Sequence, residues 1–531
     1  MENILKYLKD IKPRKYQEEI FQTCKEKSCL VVLPTGIGKT LVALMLTIDR
    51  MIKFPESKIL FLAPTRPLAQ QHLDYFKKHL PELFAQLELF TGKTEAKKRQ
   101  EIWQNADIVF STPQCIGNDV RNNLYNLENV SLLVEDECHR CVKNYSYTYV
   151  AEKYREQAKN SRVLGLTASP GHEKAKIEKI LKNLGIEAVE IRTRESEDVK
   201  EYLQELKFEV IKLDFPPEFD EIRILLKKIF DKKAEELKNR KLLFMPPTKK
   251  FLLETQKKIM LSIARGNKNF NLLLGASACA QAIKISHALE LLETQTLASF
   301  QAYMQDLFDQ AAKKQSKAVQ NLVKQPEFNQ AYIKTAELIA KKIEHPKLAK
   351  LKEIIELELK SNPRLKAIVF AQFRNTLVKI SKTLNEIPGI NARVFVGQAK
   401  RGEGKEQTGL SQREQQEMIH QFSLGETNVL CASQIGEEGL DIIEVSNVIF
   451  YEPIPSEIRT IQRRGRTARM MKGKLTILMT KKTRDESYYW AAFQKEKKMH
   501  KAIDEIQQDF DDKEEKENSE KEEDKKQKKL F

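Results

Sequence analysis

A chain of 531 residues, 41% of them hydrophobic, is too long for one compact core and long enough for about three domains. The net charge of +16 predicts a surface that attracts polyanions, although charge alone does not separate nucleic acid from anionic lipid. Seven scattered cysteines, a charged N-terminal segment and the lack of a long apolar run exclude a disulfide scaffold, a secretory signal and a membrane span, so we expect a soluble, cytoplasmic protein.

Short apolar, β-branched runs alternate with helical patterns in two stretches of the chain, which is typical of parallel sheets covered by helices. The runs of the first stretch are 29–33, 58–63, 107–111, 132–135 and 163–167. Those of the second stretch are 367–371, 392–396, 428–432, 447–451 and 474–479. We therefore predict an α/β protein with two lobes, at 1–206 and 346–504.

The segment between the lobes, 207–345, has few strand or turn signals, and its apolar residues recur at helical spacing. It carries 24 lysines and arginines against 16 acidic residues, about half of the chain's net positive charge. We predict a helical insertion domain that binds a polyanion; the alternative is a solvated bundle whose lysines keep it soluble. Residues 505–531 form a mixed-charge tract with almost nothing apolar to bury, which predicts a disordered tail.

A glycine-rich turn joins the first predicted strand to a helix in the sequence LVVLPTGIGKT, which has the setting of a phosphate-binding loop. Backbone N–H groups beside the glycines can surround phosphates, the lysine can contact them, and the threonine hydroxyl can ligate magnesium. Leu33 stands where this pattern usually has its first glycine. The residues predicted to bind ATP are Pro34, Thr35, Gly36, Ile37, Gly38, Lys39 and Thr40.

Two acidic residues follow another apolar strand about one hundred residues later. We expect Asp136 to hold the magnesium ion together with Thr40, and Glu137 to orient or deprotonate the attacking water. The alternative is a capping or surface acidic pair. Cys138 and Cys141 form a C-x-x-C, but no second such pair completes the four ligands of a structural zinc site, so we do not expect zinc.

An arginine cluster marks the end of the second lobe. Gln462, Arg463, Arg466 and Arg469 fall on closely related faces of a predicted helix. Arginine can stabilise the charge that develops on a transferring phosphoryl group. The alternatives are a grip on a nucleic-acid phosphate and a solvated basic face; the phosphate loop in the first lobe favours the first interpretation.

These motifs together resemble those of the superfamily-2 helicases, and the second lobe is similar to the archaeal Hef helicases and the related Fanconi anaemia M translocase. The matching segments are LPTGIGKT, DECH at 136–139, LTASPG at 166–171, GLSQREQ at 409–415, IGEEGLDI at 435–442, FYEPIPSEIRTIQRRGRT at 450–467 and TRDESYYW at 483–490. The resemblance covers about residues 8–500. It implies two RecA-like lobes with a helical insertion between them.

The resemblance also implies roles for single residues. Those expected to contact the nucleotide or couple its hydrolysis to motion are Arg14, Gln17, Thr167, Ser169, Gly439 and Asp441, with Arg466 and Arg469 as arginine fingers. Those expected to hold nucleic-acid phosphates are Pro64, Thr65, Arg66, Thr91, Gly92, Thr112, Gln372, Phe373, Arg374 and Ser433.

The sequence departs from the family pattern at a few positions. Cys138 replaces an alanine, Ala468 replaces a glycine, and Ser433 with Gln434 replaces a Thr-Ser pair. These exchanges leave the charges intact, so we expect activity to survive them. Many Hef proteins also carry an XPF-type nuclease domain, whose acidic motif does not occur in this sequence, and we expect no nuclease activity on this chain.

The function that the resemblance implies is an ATP-dependent DNA helicase or translocase that acts on forked or branched DNA in fork repair and recombination, with ATP and Mg²⁺ as cofactors. The alternatives are a motor stimulated by RNA duplexes and an ATP-gated scaffold that recruits a nuclease. Gln527, Leu530 and Phe531 resemble the front half of a sliding-clamp peptide, which makes a sliding clamp a candidate partner. The alternative is a chance apolar pair on a solubilising tail.

Overall fold

The computed structural model describes residues 1–194, 196–202, 206–267, 269–397, 409–433, 445–464 and 473–527. Six residues with predicted roles lie outside these ranges: Gly439, Asp441, Arg466, Arg469, Leu530 and Phe531. Gln462 and Gln527 lie within helical backbone, and the contacts predicted for their side chains remain predictions.

The first lobe is a parallel sheet covered by helices on both faces. Its strands are β1 (Cys29–Val32), β2 (Lys58–Leu62), β3 (Leu87–Phe90), β4 (Ile108–Ser111), β5 (Val130–Asp136), β6 (Val163–Thr167) and β7 (Ala188–Ile191). Its helices are α1 (Glu2–Leu5), α2 (Lys15–Glu26), α3 (Lys39–Lys53), α4 (Arg66–His79), α5 (Ala96–Asn105), α6 (Pro113–Arg121), α7 (Ser146–Gln157), α8 (Lys174–Leu184) and α9 (Glu197–Lys200), with a 3₁₀ turn at Cys138–Arg140.

The strand order of this sheet is β3-β4-β2-β5-β6-β1-β7, and every paired strand is parallel. Successive side chains of a strand enter different cores. Val31 and Phe61 belong to one core, whereas Leu30 and Leu60 belong to the core on the opposite face. Strands buried on both faces have to be apolar throughout, which explains why the central runs are visible in the sequence.

Over the described residues 214–267 and 269–345, the insertion is a bundle of six helices. They are α10 (Pro217–Asn239), α11 (Lys249–Ala264), α12 (Phe270–Thr294), α13 (Leu297–Ala312), α14 (Lys317–Val323) and α15 (Pro326–Ala340). By length and composition α12 could cross a membrane, but half of its apolar window is buried inside the protein. The core helix of a soluble domain passes the same test, so this finding is weak evidence for a membrane span.

The second lobe contains another parallel sheet. Its strands are β8 (Leu206–Leu213), β9 (Ala367–Phe370), β10 (Ala392–Phe395), β11 (Val429–Ala432), β12 (Asn447–Phe450) and β13 (Gly473–Thr480), in the order β10-β11-β9-β12-β13-β8. Its helices are α16 (Pro346–Ser361), α17 (Arg374–Leu384), α18 (Gln412–Leu424), α19 (Glu457–Arg464) and α20 (Arg484–Gln527). The two predicted α/β lobes and the helical insertion between them are confirmed.

Two predicted boundaries are wrong. The insertion does not begin at residue 207, because β8 pairs in parallel with β13 and completes the second sheet. The tail from residue 505 is not disordered throughout, because α20 continues to Gln527. Ile506 is buried and Phe510 packs against the first lobe, while Asp509 forms an ion pair with Lys174 at 2.8 Å. Apolar residues at helical spacing therefore continue into the charged tract and pack its first helical turns against the first lobe.

Candidate ATP and nucleic-acid site

The predicted site residues of the first lobe lie at one edge of the sheet, because the carboxyl ends of parallel strands meet there. The phosphate loop follows β1, the acidic box ends β5, and Thr167 ends β6. The residues predicted to hold nucleic acid follow β2, β3 and β4. Since the strand order keeps β3, β4 and β2 on one side of β5, the two sets occupy neighbouring halves of the same edge.

The loop after β1 has the backbone of a phosphate-binding turn. Gly36 and Gly38 have φ values of 85° and 86°, a left-handed region in which residues with a side chain are strained. Gly38 is also the N-cap of α3, so the first N–H groups of that helix face the loop. Lys39 Nζ donates a hydrogen bond to Leu33 O at 3.0 Å, which folds the lysine back over the loop.

Residues of α2 support the loop from behind. Gln17 Nε2 donates to Ile37 O at 3.1 Å and lies 3.4 Å from Gly38 O, while Tyr16 donates from its hydroxyl to Ile37 O at 2.5 Å. Gln17 Oε1 accepts from the backbone N–H of Arg14 at 2.8 Å. Both predicted adenine-reading residues are thus joined to the phosphate loop, and their contact with adenine remains a prediction. Sequence reasoning missed Tyr16.

Asp136, the predicted metal ligand, is buried and bonded to a histidine that the sequence did not single out. His72 Nε2, on α4, lies 2.9 Å from Asp136 Oδ2. Burial alone would raise the pKa of the Asp136 carboxyl, but the hydrogen bond and charge of His72, with the charge of Lys39, hold it below its usual range. An ionised carboxylate and the hydroxyl of Thr40, in the first turn of α3, are the kind of oxygen donors that suit magnesium.

Glu137 is connected to the predicted coupling segment. Its φ of 51° is unusual for a residue with a side chain, and such strain is typical of functional sites. Its Oε2 atom lies 3.2 Å from His139 Nδ1, and that nitrogen is hydrogen-bonded to Thr167 Oγ1 at 3.2 Å. The same hydroxyl accepts from the N–H of Ser169 at 3.1 Å. His139 therefore joins the acidic box to the end of β6 by its hydrogen bond to Thr167, and Glu137 Oε2 lies beside the same nitrogen without a well-formed hydrogen bond among the described residues.

The two cysteines beside the box are fully buried, and burial raises the pKa of both the Cys138 and Cys141 thiols. A Cβ on Gly165 would lie 3.2 Å from Cys138 Sγ, so this thiol fills a tight slot behind β6. Glu135, which precedes the box, points into the same region. Burial raises its pKa well above the usual range, and among the residues that the structure describes neither carboxyl oxygen has a well-formed hydrogen bond.

In the first lobe, the residues predicted to contact the nucleic-acid strand lie at or just before the first residues of helices. Thr65 and Thr112 are the N-caps of α4 and α6. Space around Gly92 is open, since an added Cβ would meet nothing within 4 Å. A buried arginine on α5 holds the Thr91 loop: Arg99 Nη1 bonds to Thr91 O at 3.4 Å and to Thr94 O, and its Nε donates to Asp119 Oδ2 at 2.7 Å. Sequence reasoning did not find this arginine.

The predicted contacts of the second lobe follow β9 and β11. Phe373 is the N-cap of α17, and its ring lies 5.5 Å from that of His287 in the insertion. Arg374 Nη2 donates to Gly397 O at 3.3 Å, and the N–H of Ser433 donates to Phe395 O at 3.2 Å. The N–H of Gln372 donates to Glu452 Oε1 at 2.6 Å. These residues again share the carboxyl edge of a parallel sheet.

The second lobe reaches the ATP half of the first lobe through its last two helices. Glu457 at the start of α19 lies 2.6 Å from His172, and Met499 of α20 lies 2.9 Å from the hydroxyl of Ser169. A cavity of about 100 Å³ lies between them, lined among others by Pro34 and Thr35 of the loop and by Ile461. Residues of both lobes thus meet beside the phosphate loop.

Known proteins share this architecture. Three family models match in sequence: DEAD/DEAH box helicase over residues 14–177, a helical bundle of putative ATP-dependent RNA helicases over 218–345, and the helicase conserved C-terminal domain over 346–471. The crystal structure of the Pyrococcus furiosus Hef helicase domain aligns with 41% identity and a TM-score of 0.67, covering 90% of this chain and 98% of that one. The chain belongs to the Hef family of superfamily-2 helicases.

Longer relatives of this Hef-type chain match over most of its length. A putative ATP-dependent RNA helicase of Methanocaldococcus jannaschii is 37% identical over 93% of the chain and 61% of its own length. The ATP-dependent DNA helicase mph1 of Neurospora crassa is 31% identical over 90% and 41%. The Fanconi anemia group M protein homolog of Mus musculus is 30% identical over 92% and 26%. The chain therefore spans about three fifths or less of these relatives.

Proposed function

We propose that this protein is an ATP-dependent DNA helicase or translocase that acts on forked or branched DNA during fork repair and recombination. The observation that carries the proposal is the path from Glu137 through His139 and Thr167 to Ser169, which contacts α20 of the second lobe. A simple ATPase has no need to connect its hydrolytic carboxylate to a second lobe. A motor does, because hydrolysis has to change the distance between two grips on a strand.

We propose ATP and Mg²⁺ as the cofactors. Magnesium would neutralise charge on the phosphates, held by the Thr40 hydroxyl and the Asp136 carboxylate. Lys39 would release Leu33 O and donate to the phosphates, and Glu137 would accept a proton from the attacking water. From the second lobe, Gln462, Arg466 and Arg469 would complete the site, with Gly439 and Asp441 contacting the nucleotide.

In this proposal one half of the carboxyl edge of each sheet binds nucleotide and the other half binds the nucleic-acid strand. While nucleotide joins the lobes on one half, the predicted phosphate contacts of both lobes hold one strand on the other half. Closing and reopening would then move the protein along that strand with little sequence preference, since phosphates carry no sequence information. The relatives' names leave the nucleic acid open, because one is called an RNA helicase and another a DNA helicase.

ATPase assays with single-stranded DNA, forked DNA, four-way junctions and RNA duplexes test the choice of nucleic acid. We expect forked or branched DNA to stimulate hydrolysis most. Stronger stimulation by RNA duplexes would favour the RNA motor instead. Stimulation without displacement of a bound oligonucleotide would favour the ATP-gated scaffold that recruits a nuclease.

We propose that the insertion binds the branched part of the DNA through α11. Four exposed lysines of this helix are available for phosphates: Lys249, Lys250, Lys257 and Lys258. One of them, Lys249, also forms an ion pair with Glu290 at 2.7 Å. Replacing all four with alanine should weaken fork binding and flatten its salt dependence, because fewer counterions are released. If the salt dependence of fork binding is unchanged, the lysines of the insertion serve solubility and do not bind DNA.

A cytoplasmic location and two protein partners complete the proposal. A separate nuclease is one candidate partner, and a sliding clamp that binds Gln527, Leu530 and Phe531 is the other. A short C-terminal anchor is physically reasonable, because burying two apolar side chains can offset the entropy lost when a short segment becomes ordered, but not the entropy lost by a long one. The double variant Leu530→Ala with Phe531→Ala should lose clamp binding and keep the ATPase rate. Equal binding by the parent and the double variant would remove the clamp as a partner of this segment.

A further inference from the structure

Among the described residues, four acidic or basic side chains are almost completely buried where the second lobe meets the insertion. They are Lys347, Glu452, Arg463 and Asp485, each 0–1% exposed. Two of them pair with each other: Lys347 forms an ion pair with Asp485, whose Oδ2 atom also accepts from the N–H of Thr480 at 2.9 Å. Such a pair holds α16 and α20 together. The other two are arranged differently.

Glu452 follows β12 and contacts the loop that is predicted to hold a nucleic-acid strand. Its Oε1 atom accepts from the N–H of Gln372 at 2.6 Å. Within the part of the chain that the structure describes, Oε2 has no hydrogen-bond partner. A buried carboxylate with a hydrogen bond to one oxygen only is costly, so packing alone does not explain a glutamate at this position.

Arg463 supplies the opposite charge from α19, the helix that leads into the predicted arginine fingers. Its guanidinium lies 4.9 Å above the ring of Phe370 and 5.3 Å above that of Phe450. These rings stand two residues before Gln372 and Glu452, and the charge of Arg463 acts on the Glu452 carboxyl, so a shift of α19 changes the positive charge that Glu452 experiences. A carboxylate accepts a stronger hydrogen bond from an N–H group than a neutral carboxyl does, so the hold on Gln372 depends on that charge.

We propose that Glu452 is a positioning residue that couples the strand-contact loop at Gln372 to the finger helix α19 through Arg463. The inference rests on the proposed function, because it assigns Gln372 to the strand and α19 to the nucleotide. When α19 approaches ATP, its displacement changes the field at Glu452 and with it the strength of the bond that orients Gln372. The ATP half and the strand half of the second lobe are thereby linked through one side chain.

The titration of this carboxyl supports the proposal. Burial raises the pKa of Glu452 to about 7; the charges of Arg463 and Lys347 and the N–H of Gln372 oppose that rise, and Asp485 adds to it. Glu452 is thus ionised above neutral pH and protonated below it. The strand-contact loop should be held more firmly at pH 8 than at pH 6.

The test is the forked-DNA concentration that gives half-maximal ATPase stimulation, measured between pH 6 and pH 8. In the wild-type protein it should fall as the pH rises. Glu452→Gln keeps the shape and an acceptor for Gln372 but has no titrating proton, so its value should be independent of pH and close to the wild-type value at pH 6. Glu452→Ala should raise the concentration by about fivefold at pH 8, the factor expected for one lost hydrogen bond.

Glu386→Gln is the matched control, since Glu386 lies on the surface of the same lobe and pairs with Lys352. This variant should keep the wild-type pH dependence. The inference is overturned if Glu452→Gln keeps it too, or if Glu452→Ala lowers the melting temperature without changing half-saturation. A wild-type protein that does not respond to forked DNA would overturn the proposed function and this inference with it.

Discussion

Arg99 offers the sharpest test of how the first lobe holds a strand. Its guanidinium forms a two-point contact with Asp119, which is 1% exposed, and bonds to the carbonyl oxygens of Thr91 and Thr94. Arg99→Ala leaves Asp119 buried, and among the residues that the structure describes the hydroxyl of Tyr125, at 2.9 Å, is then the remaining donor to the same carboxylate. Removing one partner of a buried ion pair costs about 3–5 kcal/mol. The two loop bonds add about 1 kcal/mol each.

Thermal unfolding and DNA-stimulated ATPase measure the two consequences separately. For a lobe of this size the buried pair alone predicts a fall in melting temperature of about 6–20 °C. Release of the Thr91 loop should raise half-saturating DNA by about fivefold or more, equivalent to one or two hydrogen bonds. Arg121→Ala is the control, because Arg121 is an exposed arginine of α6 that packs on Tyr149. A fall below 2 °C with unchanged half-saturation would refute the reasoning.

Further predictions concern the ATP half of the same lobe. Glu137→Gln should bind ATP and hydrolyse it about 10²–10⁴-fold more slowly, because an amide cannot accept the proton. Lys39→Ala should instead lose ATP affinity. If nucleotide-binding assays show that both variants lose the same affinity, Glu137 has another role. Gly38→Ala should lose about 1–2 kcal/mol of stability, because alanine is strained at the positive φ of this position. The variant should also hydrolyse ATP more slowly, because the new Cβ would lie 2.1 Å from Gln17 Nε2 and displace the loop. An ATPase rate equal to that of the wild-type protein would contradict the loop geometry. Glu135 should contribute a component of stability that falls as pH rises above 4.5, by up to about 1.4 kcal/mol per pH unit until its raised pKa is reached, because only in the unfolded chain does this carboxyl ionise there. Glu135→Gln should remove this component, and urea unfolding at pH 5 and pH 8 that gives both proteins the same slope would contradict it.

The sequence predicts the centre of each sheet well and its margins poorly. Every run that it identifies as a strand is a strand in the structure, and all of them except the edge strand β10 are central parallel strands, which are apolar at successive positions. The strands it misses are β3, β7 and β8, all of which lie at sheet edges. Edge strands expose one side, so β8 alternates charged and apolar residues and is not distinguished from the helical pattern that follows it.

The same contrast applies to the site. Residues of the phosphate loop and the acidic box are neighbours in the sequence and carry a recognisable spacing. The residues that hold site residues in place are distant in the sequence: His72 is 64 residues from Asp136, and Glu452 is 80 residues from Gln372. A histidine on a helix or a glutamate after a strand has no local signal that names its partner. Only the fold brings such pairs together, so these supports could not be predicted from the sequence.

The most direct test of the central claim is ATP-dependent unwinding of a labelled forked DNA duplex by the wild-type protein beside Glu137→Gln. If hydrolysis at one half of the sheet edge moves a strand held at the other half, the wild-type protein should displace the labelled strand only when it hydrolyses ATP. Glu137→Gln should bind the fork in the presence of ATP and leave it paired. Equal displacement by both proteins, or hydrolysis by the wild-type protein without displacement, would contradict the account.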